Sequence, residues 1–238
     1  MNGLWNSDSD IDITAIFINR LAHNQHQLLK MCSYILKDCS KRGTMSYIPA
    51  RRVPILKFIE QESGIEVDFN VNNVLGIHNS ELIYKYCEID QRFHIMAIFL
   101  KYWSKQVGII GASLGLLSSY ALTLMLIAFL QSTEPPVLPC LQEKKLRSHK
   151  KQAAFYPILL DTLDKKKRYI RQNENLDRNQ YCLYDTDVFF ETDIEVIKEK
   201  YLPQQQNNDS VPELLFQFFY FYLYRFDQEN HIINVKDG

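Results

Sequence analysis

The sequence contains little that would allow the chain to be disordered or built on disulfides. Only 8 of its 238 residues are glycine, whereas 14 are tyrosine and 14 are phenylalanine, and 46% are hydrophobic, which is ample for a folded core. The five cysteines are odd in number and form no C-x-x-C pair, which is typical of a reduced protein. We therefore expect an intracellular protein, with the cytoplasm favoured.

A hydrophobic run long enough to cross a bilayer is also missing. The most apolar stretch, residues 114–130, is interrupted by polar side chains and is shorter than the roughly 20 residues that a span requires. The first residues are polar and acidic, unlike a secretion signal. The sequence thus predicts a buried core helix in this stretch and no membrane partner, and a monomer is favoured.

Charge is nearly balanced, with a formal net charge of −1, but it is unevenly distributed. Residues 144–171 carry ten lysines and arginines against two aspartates, a local excess of +8. Such a segment either binds an anionic partner such as RNA or forms an ordinary solvated surface, and the composition leaves both open. The candidate RNA-binding residues are Lys144, Lys145, Lys165, Lys166, Lys167 and Arg168.

The predicted secondary structure changes near Asn73, from strands with one helix to helical runs, and this change predicts two domains. Before this residue lie one helical pattern and four β-rich stretches, at 19–40 and at 10–17, 44–50, 52–60 and 64–71. After it lie four apolar helical runs, at 79–90, 91–107, 116–131 and 211–226. The predicted fold is α+β, with a small mixed-sheet domain at 1–73 and a helical domain at 74–238.

The stretch NSDSDIDIT places acidic residues at alternate positions of a predicted strand. Asp10, Asp12 and Thr14 share one face, and the apolar residues between them share the other, which we expect to pack on a core. Two carboxylates on one face repel, and one of them tends to retain its proton. A divalent cation removes this conflict, and Mg²⁺ prefers carboxylate oxygens.

A third carboxylate, Asp68, lies in the β-rich stretch GIEVDFNV, where it alternates with Val67 and Phe69. If the two strands pair, Asp68 can join Asp10 and Asp12. Three carboxylates around two metal ions are the arrangement that nucleotidyl transfer uses. The alternative, an acidic strand that faces solvent, stays open at this point.

Five stretches, in order, resemble the noncanonical poly(A) polymerases and terminal uridylyltransferases of the DNA polymerase β-like nucleotidyltransferase superfamily. They are GLWNSDSDIDI (3–13), VPILKF…GIEVDFNVNN (53–73), FLKYWSKQVGI (99–109), LSSYALTLMLIAFLQ (117–131) and VPELLFQFFYFYLYRFDQENHIINVKDG (211–238). The last resembles the poly(A)-polymerase-associated segment of that family. The resemblance covers nearly the whole chain except the basic region around 140–205.

The resemblance implies a nucleotidyltransferase palm at 1–73, with the active site in a cleft between the palm and the helical domain. It implies addition of nucleotides from UTP or ATP to an RNA 3′ end without a template. The metal ions, Mg²⁺ or Mn²⁺, would be held by Asp10, Asp12 and Asp68. The nucleotide-binding residues would be Asn73 at the sugar, Ser80 near the nucleotide, Lys101, Lys105 and Ser119 at the phosphates, and Tyr120 stacked on the base.

The spacing of these residues agrees with the roles but does not require them. Lys101 and Lys105 lie one helical turn apart, which suits a triphosphate and equally suits a solvated helix face. Ser119 and Tyr120 open an apolar helix, where backbone N–H groups favour phosphate. An ordinary helix cap followed by a core tyrosine is the alternative.

The sequence departs from the family pattern at both ends. The Gly-Ser turn that holds the outgoing phosphates does not precede Asp10, and His231 is not the base-reading histidine of the uridylyl-selective members. We therefore expect a palm without its N-terminal strand and Gly-Ser turn, in a chain truncated at both ends and inactive or nearly so in this form. The alternative function is a catalytically inactive pseudoenzyme or fragment that binds RNA or protein.

Overall fold

The computed structural model describes residues 3–4, 9–17, 25–49, 53–142, 190–201 and 207–235. The six candidate RNA-binding residues of the basic segment lie outside these residues. The chain divides into two compact units. The described residues between 9 and 79 form one, here called the sheet unit; residues 3–4 and those from 80 onwards form the other, the helical unit. The predicted α+β class is confirmed, and the predicted domain boundary after Asn73 stays a prediction.

The described part of the sheet unit contains four strands, one complete helix and the first residues of a second helix that begins at Val74. The strands and the complete helix are β1 Ile11–Ala15, α1 Gln25–Leu36, β2 Ser46–Ile48, β3 Ile55–Ile59 and β4 Glu66–Val71. The strand order is β1-β4-β3-β2, in which β1 runs parallel to β4 and the other neighbours are antiparallel. The sheet is therefore mixed, as the sequence predicted.

Alternation along β3 and β4 separates an apolar face from a polar one. Their apolar residues are buried with the inner side of α1 in one core, formed by Leu28, Leu29, Cys32, Leu56, Phe58, Val67, Phe69 and Val71. Because neighbouring side chains on a strand point to opposite faces, Lys57, Asp68 and Asn70 lie on the other face. The helix thus covers the apolar face of the sheet and not the face that carries these polar side chains.

The prediction that the apolar face of β1 packs on a core is wrong for most of its residues. Ile11 and Ile13 are 43% and 40% exposed, and Phe17 is 39% exposed. The reason is that α1 packs against β3 and β4, whereas β1 lies at the end of the sheet order. Of the described residues of β1, only Ala15 packs against the core.

The predicted helical runs all form helices. The longer helices are α2 Val74–Ile89, α3 Gln91–Gln106, α4 Ser119–Ser132, α5 Ile194–Tyr201 and α6 Val211–Tyr220, and a π-helical turn follows at Phe221–Arg225. The core of the helical unit is built on large side chains of α2, α3, α4 and α6, among them Tyr86, Phe93, Leu126 and Phe218. Within the described residues, no helix is both long and apolar enough to span a bilayer.

Arg92 ties the start of α3 to the segment that precedes α6. Its guanidinium binds the carboxylate of Asp90, with Nη2 at 2.7 Å from Oδ2, and donates to the backbone carbonyls of Asn207 and Asp209 at 2.9 and 2.8 Å. Asn207 in turn donates to the carbonyl of Pro135 at 2.9 Å. Hydrogen bonds to Asp90 raise the pKa of Arg92, so this guanidinium stays charged.

Candidate active site

The polar face of the sheet carries a row of charged side chains in register across three strands. Asp12 of β1 lies opposite Asp68 of β4 in the parallel pair, and Lys57 of β3 lies opposite Asp68 on its other side. Residues in register point to the same face of a sheet. We call Asp12, Asp68 and Lys57 the polar row. The structure thus places two of the three predicted metal-binding aspartates side by side.

Asp10, the third predicted aspartate, lies just before β1 and adds to the negative charge at the end of the polar row. Although the side chain of Asp12 reaches solvent, neighbouring protein atoms remove part of its hydration, and this loss raises the pKa of its carboxyl. The carboxylates of Asp10 and Asp68 raise the pKa further, and Lys57 lowers it. The electrostatic conflict that the sequence predicted is therefore present in the fold.

One carboxylate oxygen of Asp68 is only partly compensated by its neighbours. Its Oδ1 is buried and makes no hydrogen bond within the described part of the chain. Lys57 Nζ forms an ion pair with this oxygen at 3.4 Å, while the same ammonium lies 2.9 Å from Glu66 Oε2. A buried carboxylate oxygen without a donor is costly, so this atom suits a cation as its partner.

These carboxylates do not form a ready-made metal cage. The described residues include no group of three or more His, Cys, Asp or Glu side chains already placed to hold a metal ion. The predicted convergence of Asp10, Asp12 and Asp68 on one ion therefore stays a prediction. The buried Oδ1 of Asp68 and the raised pKa of Asp12 nevertheless fit a divalent cation, because such an ion would relieve both.

Asn70 and Asn73, which follow Asp68 in the chain, are two further polar residues of this part of the sheet unit. Asn70 is only 6% exposed, and its Oδ1 is also buried without a hydrogen bond among the described residues. It lies opposite Thr14, whose Oγ1 accepts a hydrogen bond from the backbone N–H of Asn73 at 3.1 Å. Asn73, the predicted sugar contact, accepts from the N–H of Gly76 at 3.4 Å and so caps the first turn of α2.

Lys101 and Ser119, two of the predicted phosphate contacts, border one recess in the helical unit. The recess has at most about 180 Å³, open solvent included, and Thr123 also borders it. The recess is too small to hold a nucleotide, so by itself it would contact only part of one. Lys101 Nζ donates to the carbonyl of Leu4 at 3.2 Å, which anchors the chain ahead of β1 on α3.

The other predicted nucleotide-binding residues do not line this recess. Lys105 is exposed one turn further along α3, and Ser80 is half-buried in α2. Ser118 rather than Ser119 caps α4, because its side chain accepts from the N–H of Ala121 at 3.0 Å. Tyr120 is 38% exposed, so the alternative of a core tyrosine is wrong.

Sequence reasoning missed Lys57 and Asn70. The signal for Asn70 was available, because it lies two residues after Asp68 and therefore shares its face. The position of Lys57 depends on the antiparallel register of β3 with β4, which alternation within one strand does not define. Both residues lie on the same face of the sheet as the carboxylates of Asp12 and Asp68.

The fold and its acidic sheet are those of a nucleotidyltransferase palm, and comparison with known proteins supports that class. Residues 1–88 match the family model of the central palm domain of poly(A) RNA polymerase, mitochondrial-like. The chain is 29% identical to terminal uridylyltransferase 7 of Homo sapiens over 99% of its own length. It is 36% identical over 60% of its length to the poly(A) RNA polymerase GLD2-B of Xenopus laevis.

A solved structure of the Cid1 poly(U) polymerase, bound to Mg 3′-dATP, matches the whole chain with a TM-score of 0.72 and 26% sequence identity. The resemblance to noncanonical poly(A) polymerases and terminal uridylyltransferases is thereby confirmed. The chain spans 14% of the length of the human relative, 29% of the frog relative and 63% of the Cid1 chain. What those longer proteins do is therefore a proposal for this one.

Proposed function

We propose that the protein transfers nucleotides from UTP or ATP to RNA 3′ ends without a template. The observation that carries this proposal is the pairing of Asp12 with Asp68 on one face, with a buried oxygen of Asp68 that has no hydrogen bond in the described chain. A sheet rarely keeps such a carboxylate unless a ligand completes it. Relatives named as uridylyltransferases and poly(A) polymerases support the reaction class.

Asp10, Asp12 and Asp68 are the residues that would hold Mg²⁺ or Mn²⁺, and oxygen ligands are those that these ions prefer. Divalent cations held there would supply Lewis-acid chemistry, lowering the pKa of an RNA 3′-hydroxyl and neutralising charge on the phosphates. The Cid1 structures bound to Mg 3′-dATP and MgGTP support magnesium as the ion.

The phosphates of the nucleotide are assigned to Lys101, Lys105 and Ser119. The ammonium of Lys101 has three donors, so it can keep its hydrogen bond to Leu4 and still bind a phosphate oxygen. The hydroxyl of Ser119 borders the same recess and can donate to that phosphate. Together these groups would hold the triphosphate for attack at its α-phosphorus.

Recognition of the rest of the nucleotide is assigned to Asn73 at the sugar, Ser80 nearby and Tyr120 against the base. The half-exposed ring of Tyr120 has a face that can stack on a base without reading its identity. The excess charge of 144–171 supports a role for this segment in holding RNA. Replacing Lys165, Lys166 and Lys167 together by glutamate should weaken RNA binding and flatten its salt dependence.

The test is incubation of the protein, together with any residues that precede or follow this sequence in its full-length form, with labelled RNA, Mg²⁺ and each NTP in turn, for wild type and Asp12→Asn. We expect Asp12→Asn to lower transfer by about 10²-fold or more, because the lost charge acts mainly in the transition state. Asp38→Asn, an exposed aspartate beyond α1, is the matched control and should leave transfer unchanged. Wild-type turnover that survives EDTA or Asp12→Asn would contradict the proposal. RNA binding without turnover of any NTP would favour the pseudoenzyme.

A further inference from the structure

We infer that Lys57 is an internal counter-cation of the carboxylate site, which partly neutralises Asp68 in the metal-free protein and weakens the binding of a divalent cation there. This inference rests on the proposed function only in taking Asp12 and Asp68 as the cation site. It assigns to Lys57 a role in setting metal affinity, distinct from binding substrate.

The backbone register brings Lys57 to this position. It lies opposite Asp68 in the antiparallel pair of β3 and β4, and Asp12 lies opposite Asp68 on the far side. Glu66 precedes Asp68 by two residues on β4 and so points to the same face. The ammonium is therefore held between Glu66 Oε2 at 2.9 Å and Asp68 Oδ1 at 3.4 Å.

The two contacts of Lys57 are unequal, and the difference indicates the role. The shorter contact is the ion pair with Glu66 at 2.9 Å, which holds the side chain in place. The longer contact leaves Asp68 Oδ1 buried and without a hydrogen bond among the described residues. Lys57 thus compensates the charge of Asp68 without saturating its oxygen, which leaves that oxygen able to bind a stronger cation.

The sign of the effect follows from Coulomb's law. A lysine beside the site attracts the carboxylates and repels an arriving divalent cation, so its removal should strengthen metal binding. A unit charge within about 6 Å of a divalent cation changes its affinity by about tenfold even with the dielectric constant of water. The effect depends on the contact with Asp68 at 3.4 Å; a lysine paired with a glutamate far from the carboxylates would produce no such change.

The test measures Mn²⁺ binding by electron paramagnetic resonance, with no nucleotide or RNA present. We expect the neutral variants Lys57→Gln and Lys57→Met to bind Mn²⁺ about tenfold more tightly than wild type, whereas Lys57→Arg stays within about twofold. Lys85→Gln is the matched control, because it removes a lysine paired with Glu88 at 2.7 Å in the helical unit. In EDTA the neutral variants should unfold at a lower temperature than wild type and recover when Mn²⁺ is added.

The outcomes separate this inference from the proposed function. Equal or weaker Mn²⁺ binding by the folded neutral variants would overturn the role of Lys57, whatever the activity. Binding that appears only in the neutral variants would support it in its strongest form. An absence of Mn²⁺ binding in all variants would overturn both the inference and the metal site. Tighter binding in a protein that transfers no nucleotide would support Lys57 and contradict the proposed reaction.

Discussion

Asp12 and Asp68 occupy the same register position on two parallel strands, so their side chains extend from the sheet side by side. Neither the helix that covers the other face nor the hydrogen bonds of the described chain compensate their charges fully. A divalent cation between the two carboxylates would compensate the charge that remains. The following predictions test the residues around this pair and the contacts that support the fold.

Replacing Asn70 by leucine should stabilise the metal-free protein. The amide of Asn70 is buried with an oxygen that lacks a hydrogen bond in the described chain, and leucine has nearly the same shape. We expect the free energy of unfolding to rise by about 1 kcal/mol in EDTA, because an unsatisfied polar group is removed. Urea unfolding measures this; a loss of stability would show that the amide has a partner in the folded state.

Asn73 should reveal two separable roles. Its Oδ1 caps the first turn of α2 through the N–H of Gly76, so Asn73→Ala should cost about 1 kcal/mol of stability. Asn73→Ser keeps a capping hydroxyl and should cost much less. If the amide also contacts the nucleotide sugar, both variants should raise KM for the NTP alike. If KM rises only in the destabilised Asn73→Ala variant and not in Asn73→Ser, Asn73 acts as a helix cap alone.

The turn between β3 and β4 should make stability depend on acid. The carboxylate of Glu60 accepts hydrogen bonds from the N–H and hydroxyl of Ser63, each at 2.7 Å, and these bonds lower the pKa of Glu60 to about 2. Because its folded pKa lies below its unfolded value of about 4.5, the stabilisation is present above pH 4.5 and is lost as pH falls towards 2. Glu60→Gln should flatten the fall of the melting temperature over this range. An identical pH profile in both proteins would refute the contribution of Glu60.

Removal of the Arg92 guanidinium should strongly destabilise the helical unit. Arg92→Met leaves the carboxylate of Asp90 and the carbonyls of Asn207 and Asp209 without this donor. Because the group is only partly buried, we expect a loss of about 2 kcal/mol, below the 3–5 kcal/mol of a fully buried pair. Lys85→Met, which breaks a single partly buried ion pair with Glu88, should cost about 1 kcal/mol. Similar losses in the two variants would show that the Arg92 contacts add little.

Much of the fold follows from periodicity in the sequence. Alternation defines β3 and β4, and alternation alone is enough to place Asp12 and Thr14 on one face of a strand. Helical spacing predicts α3 and α4 to within a few residues. These features are local, so a short stretch of sequence contains the information that determines them.

The features that the sequence did not predict are those that depend on partners distant in the chain. Ile11 and Ile13 alternate as a buried strand would, yet they stay exposed because α1 packs against other strands. Lys57 lies beside Asp68 only because the turn after β3 sets one antiparallel register rather than another. No periodicity within a single element specifies which residues of two elements meet.

The parallel pairing of β1 with β4 has a consequence for how the protein folds. The hairpins of β2, β3 and β4 join neighbours in sequence and can form early, whereas the hydrogen bond from Asn73 to Thr14 joins residues 59 positions apart. Closing so long a loop is slow, because chain entropy is lost before the contacts compensate for it. We therefore expect the carboxylates of Asp12 and Asp68 to meet after the antiparallel strands have paired. A cation that needs both of them will bind the folded sheet and only weakly the unfolded chain.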